Sequence, residues 1–350
     1  MIEELAAPAA EAWDACTVHA PGGHVLQSFA WAEQCRADGW IPRFLAWDDG
    51  CAALALTHRL PPLPGVTVYL SRGPVPGADP PGRLAGRIVE AGAWLAARGA
   101  MVVAADPEVG DDAAYRAALM AGGFRPTEEI QPARHRMRLP LPPGADETGV
   151  WAGVGRSTRQ RIEQARRAGL VVREDAEGTR LARFGELLGE TAERRAFSFS
   201  RSFFLAWWRR ALAAGLARFL VVEADGRLLG GLYLYRHGGR YSTAHSADDA
   251  DARHEHPGVM HLLRWEAIRL AIAERAPELD LGGVDVAGAR RPPRPGEPMY
   301  GLYEHKRSFG AEWVEQAGAH ELVARPWLYR LALAGRAVRR TLRPAGRGAP

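Results

Sequence analysis

Two segments of the chain carry apolar runs folded around an Asp-Gly pair. Phe44 to His58 (FLAWDDGCAALALTH) and Phe219 to Arg236 (FLVVEADGRLLGGLYLYR) each hold two short runs of aliphatic and aromatic residues. The residues between them accept the positive φ of a tight turn, so each segment predicts an antiparallel hairpin. Downstream of the first hairpin, Leu84 to Arg98 has helical periodicity and a strand then runs into Asp106. Downstream of the second, Val259 to Ala276 is helical and a strand follows in Glu278 to Gly283 (ELDLGG). Gly50 and Asp106 are 56 residues apart, and Gly226 and Asp280 are 54 apart. The same order at nearly the same spacing predicts two similar α/β units, a duplicated domain rather than a solenoid of short repeats. Each unit reads as a helix or two, a hairpin, a strand, a helix and a last strand, which makes a mixed sheet.

The length of 350 residues suits two ordinary domains. The join falls near Leu141 to Asp146 (LPPGAD), between a strand ending at Leu139 and a basic helix starting near Ser157. Ser157 or Thr158 is the expected cap of that helix, with Arg159, Arg161, Arg166 and Arg167 facing out. A second stiff, basic loop, Arg290 to Pro298 (RRPPRPGEP), reads as a lid, as a phosphate contact or as plain loop variation. No apolar run approaches the roughly 20 residues of a spanning helix. The acidic start, MIEEL, does not read as a secretory signal, so the cytoplasm is the expected compartment. Three cysteines without a C-x-x-C spacing argue against a disulfide framework or a zinc ribbon.

Charge is unevenly placed. The net charge is +4, but no acid follows Glu321, while Arg325, Arg330, Arg336, Arg339, Arg340, Arg343 and Arg347 do. Leu328, Leu331, Val338 and Leu342 fall at helical spacing there, interrupted by Gly335 and ended near Pro344. A basic amphipathic helix of this kind suits anionic lipid or tRNA phosphates; a partly docked helix with a solvated end is the plainer reading.

Composition adds a sharper signal. The chain has no asparagine, and all but one of its 45 Lys and Arg residues are arginine. Arginine replaces lysine in ordinary ion pairs but not where a compact ammonium must reach one atom. The sole lysine, Lys306, lies in Gly301 to Gly310 (GLYEHKRSFG), unlike a bland charged face, and is therefore a candidate for chemistry.

Other chemistries find little support. The order of elements is that of the acyl-CoA N-acetyltransferase fold, yet neither unit offers a convincing glycine turn for a pyrophosphate. Arg72 to Gly82 (RGPVPGADPPG) is rich in prolines, which have no N–H. In Ala247 to Gly258 (ADDADARHEHPG), Asp248, Asp249 and Asp251 would repel a diphosphate. No G-x-S-x-G elbow or Walker loop occurs. His254, His256 and His261 lack the spacing of a metal motif, and a polar loop capping the next helix is the preferred reading; no metal is expected.

Several separated segments resemble the Fem family of aminoacyl-tRNA-dependent transferases, which add amino acids to the stem peptide of peptidoglycan precursors. His24 to Glu33 with Gly39-Trp40 is similar to the family's first helix, and Tyr69 to Val75 (YLSRGPV) to its strand and R/K-G-P-V turn. Ile130-Gln131-Pro132 followed by Ser157 to Gly169 looks like its entry into the second domain. Leu279 to Gly283 and Gly301 to Gly310 look like its closing signature. The resemblance implies two tandem GNAT-like domains without a coiled-coil arm, the first spanning 1–146 and completed by about 318–350, the second 147–317. It implies that Lys306 stabilises the transition state, with Arg36, Asp106, Arg201, Tyr303 and His305 binding substrate. The implied co-substrate is aminoacyl-tRNA, with no cofactor, and the implied acceptor is a lipid-linked or nucleotide-linked muramyl peptide. Attack of an amine on an aminoacyl ester builds negative charge on the carbonyl oxygen, where an aimed ammonium is useful and no enzyme nucleophile is needed. His305 stands where the family usually has phenylalanine, and Met101 replaces an aromatic expected before Asp106, so substrate preference is expected to differ. An aminoacyl-tRNA-dependent amide-forming enzyme of secondary metabolism, a CoA-dependent N-acyltransferase, and a tRNA- or membrane-binding protein without catalysis remain the alternatives.

Overall fold

The computed structural model describes residues 1–195, 199–286 and 288–342. Its contacts divide the described chain into two compact units, 1–134 together with 315–342, and His135–Val314.

The first unit is built on a seven-stranded sheet. Its strands are β1 (Ile2–Leu5), β2 (Ile41–Trp47), β3 (Ala52–Arg59), β4 (Val66–Leu70), β5 (Ala100–Ala105), β6 (Arg125–Pro126) and β14 (His320–Val323), in the order β1-β2-β3-β4-β5-β14-β6. Only β4 and β5 are parallel, joined through α3 (Pro81–Ala97), which starts with proline at its first position, where no N–H is missed. Leu84, Ile88, Ala91 and Leu95 recur at helical spacing on α3 and are buried with Leu45, Ala53 and Val103 of the sheet. α1 (Ala10–Thr17), α2 (Phe29–Ala37) and α4 (Ala113–Ala121) complete this unit, with α12 (Pro326–Leu342) at its end.

The second unit repeats the plan. β7 (Arg136–Pro140), β8 (Val172–Glu174), β9 (Ala217–Ala224), β10 (Arg227–His237), β11 (Arg240–Asp248), β12 (Glu278–Asp280) and β13 (Glu312–Val314) form a sheet in the order β13-β7-β12-β11-β10-β9-β8, again with one parallel pair, β11 and β12. The Asp225-Gly226 turn between β9 and β10 has positive φ at both residues, as a two-residue hairpin requires. The helices are α5 (Glu147–Gly153), α6 (Arg156–Arg167), α7 (Leu181–Arg195), α8 (Arg201–Ala213), α9 (Ala252–Glu255), α10 (Val259–Ala273) and α11 (Tyr300–Arg307). Neighbouring β10 residues show that α7 and α10 cover opposite faces of the sheet. A side chain at Gly230 would meet Val259 of α10, and one at Gly231 would meet Phe184 of α7.

Two expectations shift. The division lies at Arg134/His135, upstream of the Leu141 to Asp146 stretch, because β7 pairs with β12 and β13 and so belongs to the second sheet. Asp146 instead accepts the Gly149 N–H at the start of α5. At α6, Gly155 occupies the N-cap position and no side chain caps the helix. Thr158, buried one turn in, bonds the Ser308 hydroxyl at 2.7 Å. Of the arginines in the basic tail, Arg336, Arg339, Arg340, Arg343 and Arg347 lie outside the described side chains, as do Val338 and Leu342. No helix among the described residues is long and apolar enough to cross a membrane.

Candidate active site

Lys306 is the one buried residue of α11, 5% exposed. The helix is fixed at its C-terminal end: Ser308 bonds Thr158, its carbonyl accepts the Gly155 N–H at 2.7 Å, and Phe309 is buried in the core. From there the Lys306 Nζ donates to the carbonyls of Gly282 at 2.9 Å and Gly283 at 3.1 Å.

Those carbonyls are presented by the turn that ends β12. Asp280, wholly buried, accepts the Gly282 N–H at 2.7 Å on one oxygen and the Arg136 Nε–H at 2.7 Å on the other. Gly282 has φ +80°, and a side chain there would come within 3.3 Å of the Lys306 Nζ. β11 and β12 pair at only two positions, Tyr241 with Leu279 and Ser242 with Asp280. Beyond them the chain after β12 turns to Met137 of β7, while β11 continues alone on that side to Asp248. Lys306 therefore sits where the parallel pair parts.

The surroundings of the lysine are cationic. Burial lowers its proton affinity well below the ordinary lysine value, Arg264 and Arg136 lower it further, and Asp280 opposes them. Arg264, on α10, is 2% exposed. Its Nε donates to His305 Nε2 at 3.2 Å and its Nη1 has no partner among the described residues. Burial brings its guanidinium down to about 10. The His305 imidazole, pushed down to about 2 by burial and by Arg264, is neutral, and so is His261, at about 4 from burial and Arg161. The two rings meet edge to face with centroids 4.6 Å apart.

His261 also lines an open cleft of about 460 Å³ between the start of α6, with Ser157, Thr158 and Arg161, and the start of α10. No side chain caps α10, so its first N–H groups are free for an anion. Two of the three carboxylates that the sequence set against a phosphate are already engaged, and the third, Asp251, is exposed. Asp248 is paired with Arg253 at 2.6 Å, and Asp249 with Arg227 at 2.7 Å.

The other expected residues fall in both units. Tyr303 lies half-buried on α11, with Arg307 over its ring at 5.9 Å. Arg201 opens α8, largely exposed and 3.9 Å from Glu186. Arg36 ends α2 in the first unit, exposed and paired with Glu33. Asp106, also in the first unit, is 1% exposed and does not cap a helix; Asp112 caps α4. Asp106 accepts the Tyr69 hydroxyl at 2.9 Å and the Arg72 N–H at 3.0 Å. In the loop Arg290 to Pro298, Arg291 is paired with Glu297 at 2.6 Å. Sequence reasoning missed Arg264, Arg136 and the anchoring part played by Asp280. For Arg264 a signal was present, since it interrupts an otherwise apolar run, Leu262-Leu263-Arg264-Trp265, on a helix buried nearly all round.

Two mixed seven-stranded sheets, each with one parallel pair and its helices, define a class: tandem α/β acyl-transfer folds of the GNAT kind. Residues 154–307 match the acetyltransferase (GNAT) domain family. The whole chain has the fold of the crystal structure of FemX, at 22% identity and a TM-score of 0.78 over 94% of this chain and 99% of that one. It is also similar to a conserved protein of unknown function from Bacteroides thetaiotaomicron (14% identity, TM-score 0.54, 92% of this chain and 100% of that one). A third likeness is to the C-terminal domain of a putative lysylphosphatidylglycerol synthetase from Agrobacterium fabrum (15% identity, TM-score 0.50, 85% and 88%). No curated protein sequence matches the chain. The fold class is as the sequence implied, and no coiled-coil arm occurs among the described residues.

Proposed function

We propose that the chain is an aminoacyltransferase that moves an amino acid from aminoacyl-tRNA to an amine of a peptidoglycan precursor stem peptide, with Lys306 stabilising the oxyanion. The observation that carries this reading is the setting of Lys306. In a chain that uses arginine everywhere else, one lysine is buried at the parting of the parallel strands. An ammonium has three donors; two are held by Gly282 and Gly283, leaving one for a reacting oxygen.

The acceptor amine attacks the ester carbonyl carbon, the carbonyl electron pair moves to oxygen, and the remaining Lys306 N–H bonds that oxygen. Collapse breaks the bond to the ribose oxygen, which takes up a proton as the amine loses one. The ester is already activated, so no protein nucleophile is required. The cysteines are poor alternatives: burial raises the Cys35 thiol and pushes Cys51 up to about 12. The uncapped start of α10 and Arg161 suit a phosphate of the donor's 3′ end. Likeness to FemX supports the muramyl-peptide acceptor, lipid-linked or nucleotide-linked, and thereby a cytoplasmic reaction; the basic tail suits tRNA or the inner membrane face.

The same cleft and the GNAT match favour one second reading, a CoA-dependent N-acyltransferase. Transfer of label from a mixed pool of charged tRNA to muramyl pentapeptide, run with the wild type and Lys306→Met, separates them. Transfer that the substitution abolishes in a folded protein supports the proposal. Acylation from acetyl-CoA instead, or no loss in Lys306→Met, overturns it.

A further inference from the structure

Removing a guanidinium from water without an anion is expensive, and the cost is ordinarily offset by a carboxylate. Among the described residues Arg264 has none. It is 2% exposed on α10, its Nη1 has no partner among them, and the hydrogen bond it makes is to a neutral imidazole, His305 Nε2, at 3.2 Å. A donor at Nε2 fixes that nitrogen as the acceptor, so the ring proton of His305 is on Nδ1. His305 is further held by the His261 ring at 4.6 Å and the Phe309 ring at 5.3 Å. The next residue is Lys306.

We propose that Arg264 is a positioning residue for Lys306: fixed on His305, its unneutralised charge keeps the Lys306 ammonium ready to release a proton. The proposal rests on the reading of Lys306 as the oxyanion donor. Three charged groups act on Lys306: Arg264 from α10, Arg136 from β7 and Asp280 from β12. Its neighbour on α11, His305, feels Arg264 and the His261 ring of α10, and Arg161 of α6 acts on His261. Asp280 and the two glycine carbonyls hold the proton on, while burial first, then Arg264 and Arg136, push it off. As the intermediate collapses and the carbonyl re-forms, the N–H that held the oxyanion is released from it and its proton passes to the departing ribose oxygen; the lysine regains a proton from the acceptor amine, so the cycle closes without another acid.

The composition of the chain supplies the test. Lys306 is the only lysine, so protein grown with 13C,15N-lysine gives one side-chain signal that needs no assignment. Its titration is followed in wild type, Arg264→Met and Arg264→Gln without substrate, so failure here is distinct from absence of transfer activity. Arg264→Met replaces an unpaired buried charge by an apolar side chain of similar length and is the variant expected to fold best. Arg264→Gln keeps a donor for His305. Both are expected to raise the Lys306 midpoint by about one pH unit or more, a tenfold change in proton affinity. In the transfer assay the alkaline fall of kcat moves up by the same interval with KM unchanged. An unchanged midpoint in both folded variants overturns the proposal, as does a changed midpoint with an unmoved pH–rate profile.

Discussion

Lys306 and Asp280 are joined through a single glycine rather than by an ion pair. The Asp280 carboxylate accepts the Gly282 N–H at 2.7 Å, and the Gly282 carbonyl accepts the Lys306 Nζ–H at 2.9 Å. The carboxylate thus orients the peptide that holds the ammonium while spending its other oxygen on Arg136. Asp280→Asn keeps an acceptor for the Gly282 N–H but leaves Arg136 facing a neutral group. Loss of one partner of a buried pair costs about 3 kcal/mol, so the urea midpoint is expected to fall. The Lys306 titration should move to lower pH, because the one neighbouring charge that favours the ammonium is gone. An unchanged titration would show that Asp280 acts on the turn alone.

Gly282 tests the geometry without touching a charge. Its φ of +80° lies in the left-handed region, where a Cβ costs roughly 1–2 kcal/mol. In Gly282→Ala that Cβ would also stand 3.3 Å from the Lys306 Nζ, tighter than a comfortable contact. The expected result is a fall in kcat of about tenfold or more for an ammonium displaced from its line. Substrate KM should stay near wild type. Equal kcat in a folded variant would mean that Lys306 is not held in its working position by this turn.

Much of this arrangement was legible in the sequence. Hydrophobic alternation and the Asp-Gly pairs located both hairpins, and the matched spacing from Gly50 to Asp106 and Gly226 to Asp280 exposed the duplication. The absence of other lysines singled out Lys306. What stayed hidden depends on pairing across long separations. Arg136 belongs to the second unit because β7 pairs with β12, more than a hundred residues later. Nothing local to that strand announces its partner. The neutralisation of Asp248 and Asp249 was likewise invisible, since it requires Arg253 and Arg227 to face them. Sequence spacing counts charges but does not pair them.

Lys306 should separate stability from activity. A buried cation replaced by a well-packed apolar side chain is often neutral or stabilising. Lys306→Met is therefore expected to unfold at a urea concentration equal to or above that of wild type. Its kcat should fall by about 10²–10³, the usual effect of deleting an oxyanion donor. A variant that loses stability in step with activity would point to a structural part for the lysine.

Asp106 is embedded differently, since it serves as acceptor for the Tyr69 hydroxyl and the Arg72 N–H inside the first unit. Asp106→Ala strands both donors, and about 3 kcal/mol of stability is expected to be lost. Asp106→Asn retains an acceptor but removes the charge 3.6 Å from the buried Arg72 guanidinium, and should cost less than Asp106→Ala. If Asp106 also meets the acceptor substrate, Asp106→Asn raises the KM for muramyl peptide while the KM for charged tRNA holds. Equal effects on both would confine Asp106 to the fold.

Acidification should weaken the second unit, and the cause can be traced to His305, His261 and His245. All three are held neutral in the folded state by burial, at about 2, about 4 and about 4, against an ordinary value of 6.5. In the unfolded chain each gains its proton near 6.5. Between about pH 4 and 6.5 the unfolded state therefore binds more protons, and stability rises with pH through that window and levels off above it. Each histidine contributes a slope of up to about 1.4 kcal/mol per pH unit, reduced by their partial contact with water. His305→Phe removes one of these titrating groups and puts an aromatic ring of similar size in its place. The variant is expected to show a shallower loss of stability from pH 6.5 to 4.5, measured by urea unfolding followed through the tryptophans. At pH 8 the variant is expected to be less stable than wild type by a pH-independent amount, because phenylalanine offers the buried Arg264 Nε–H no acceptor. A slope identical to wild type would place the acid sensitivity elsewhere and remove His305 from the buried cationic group around Lys306.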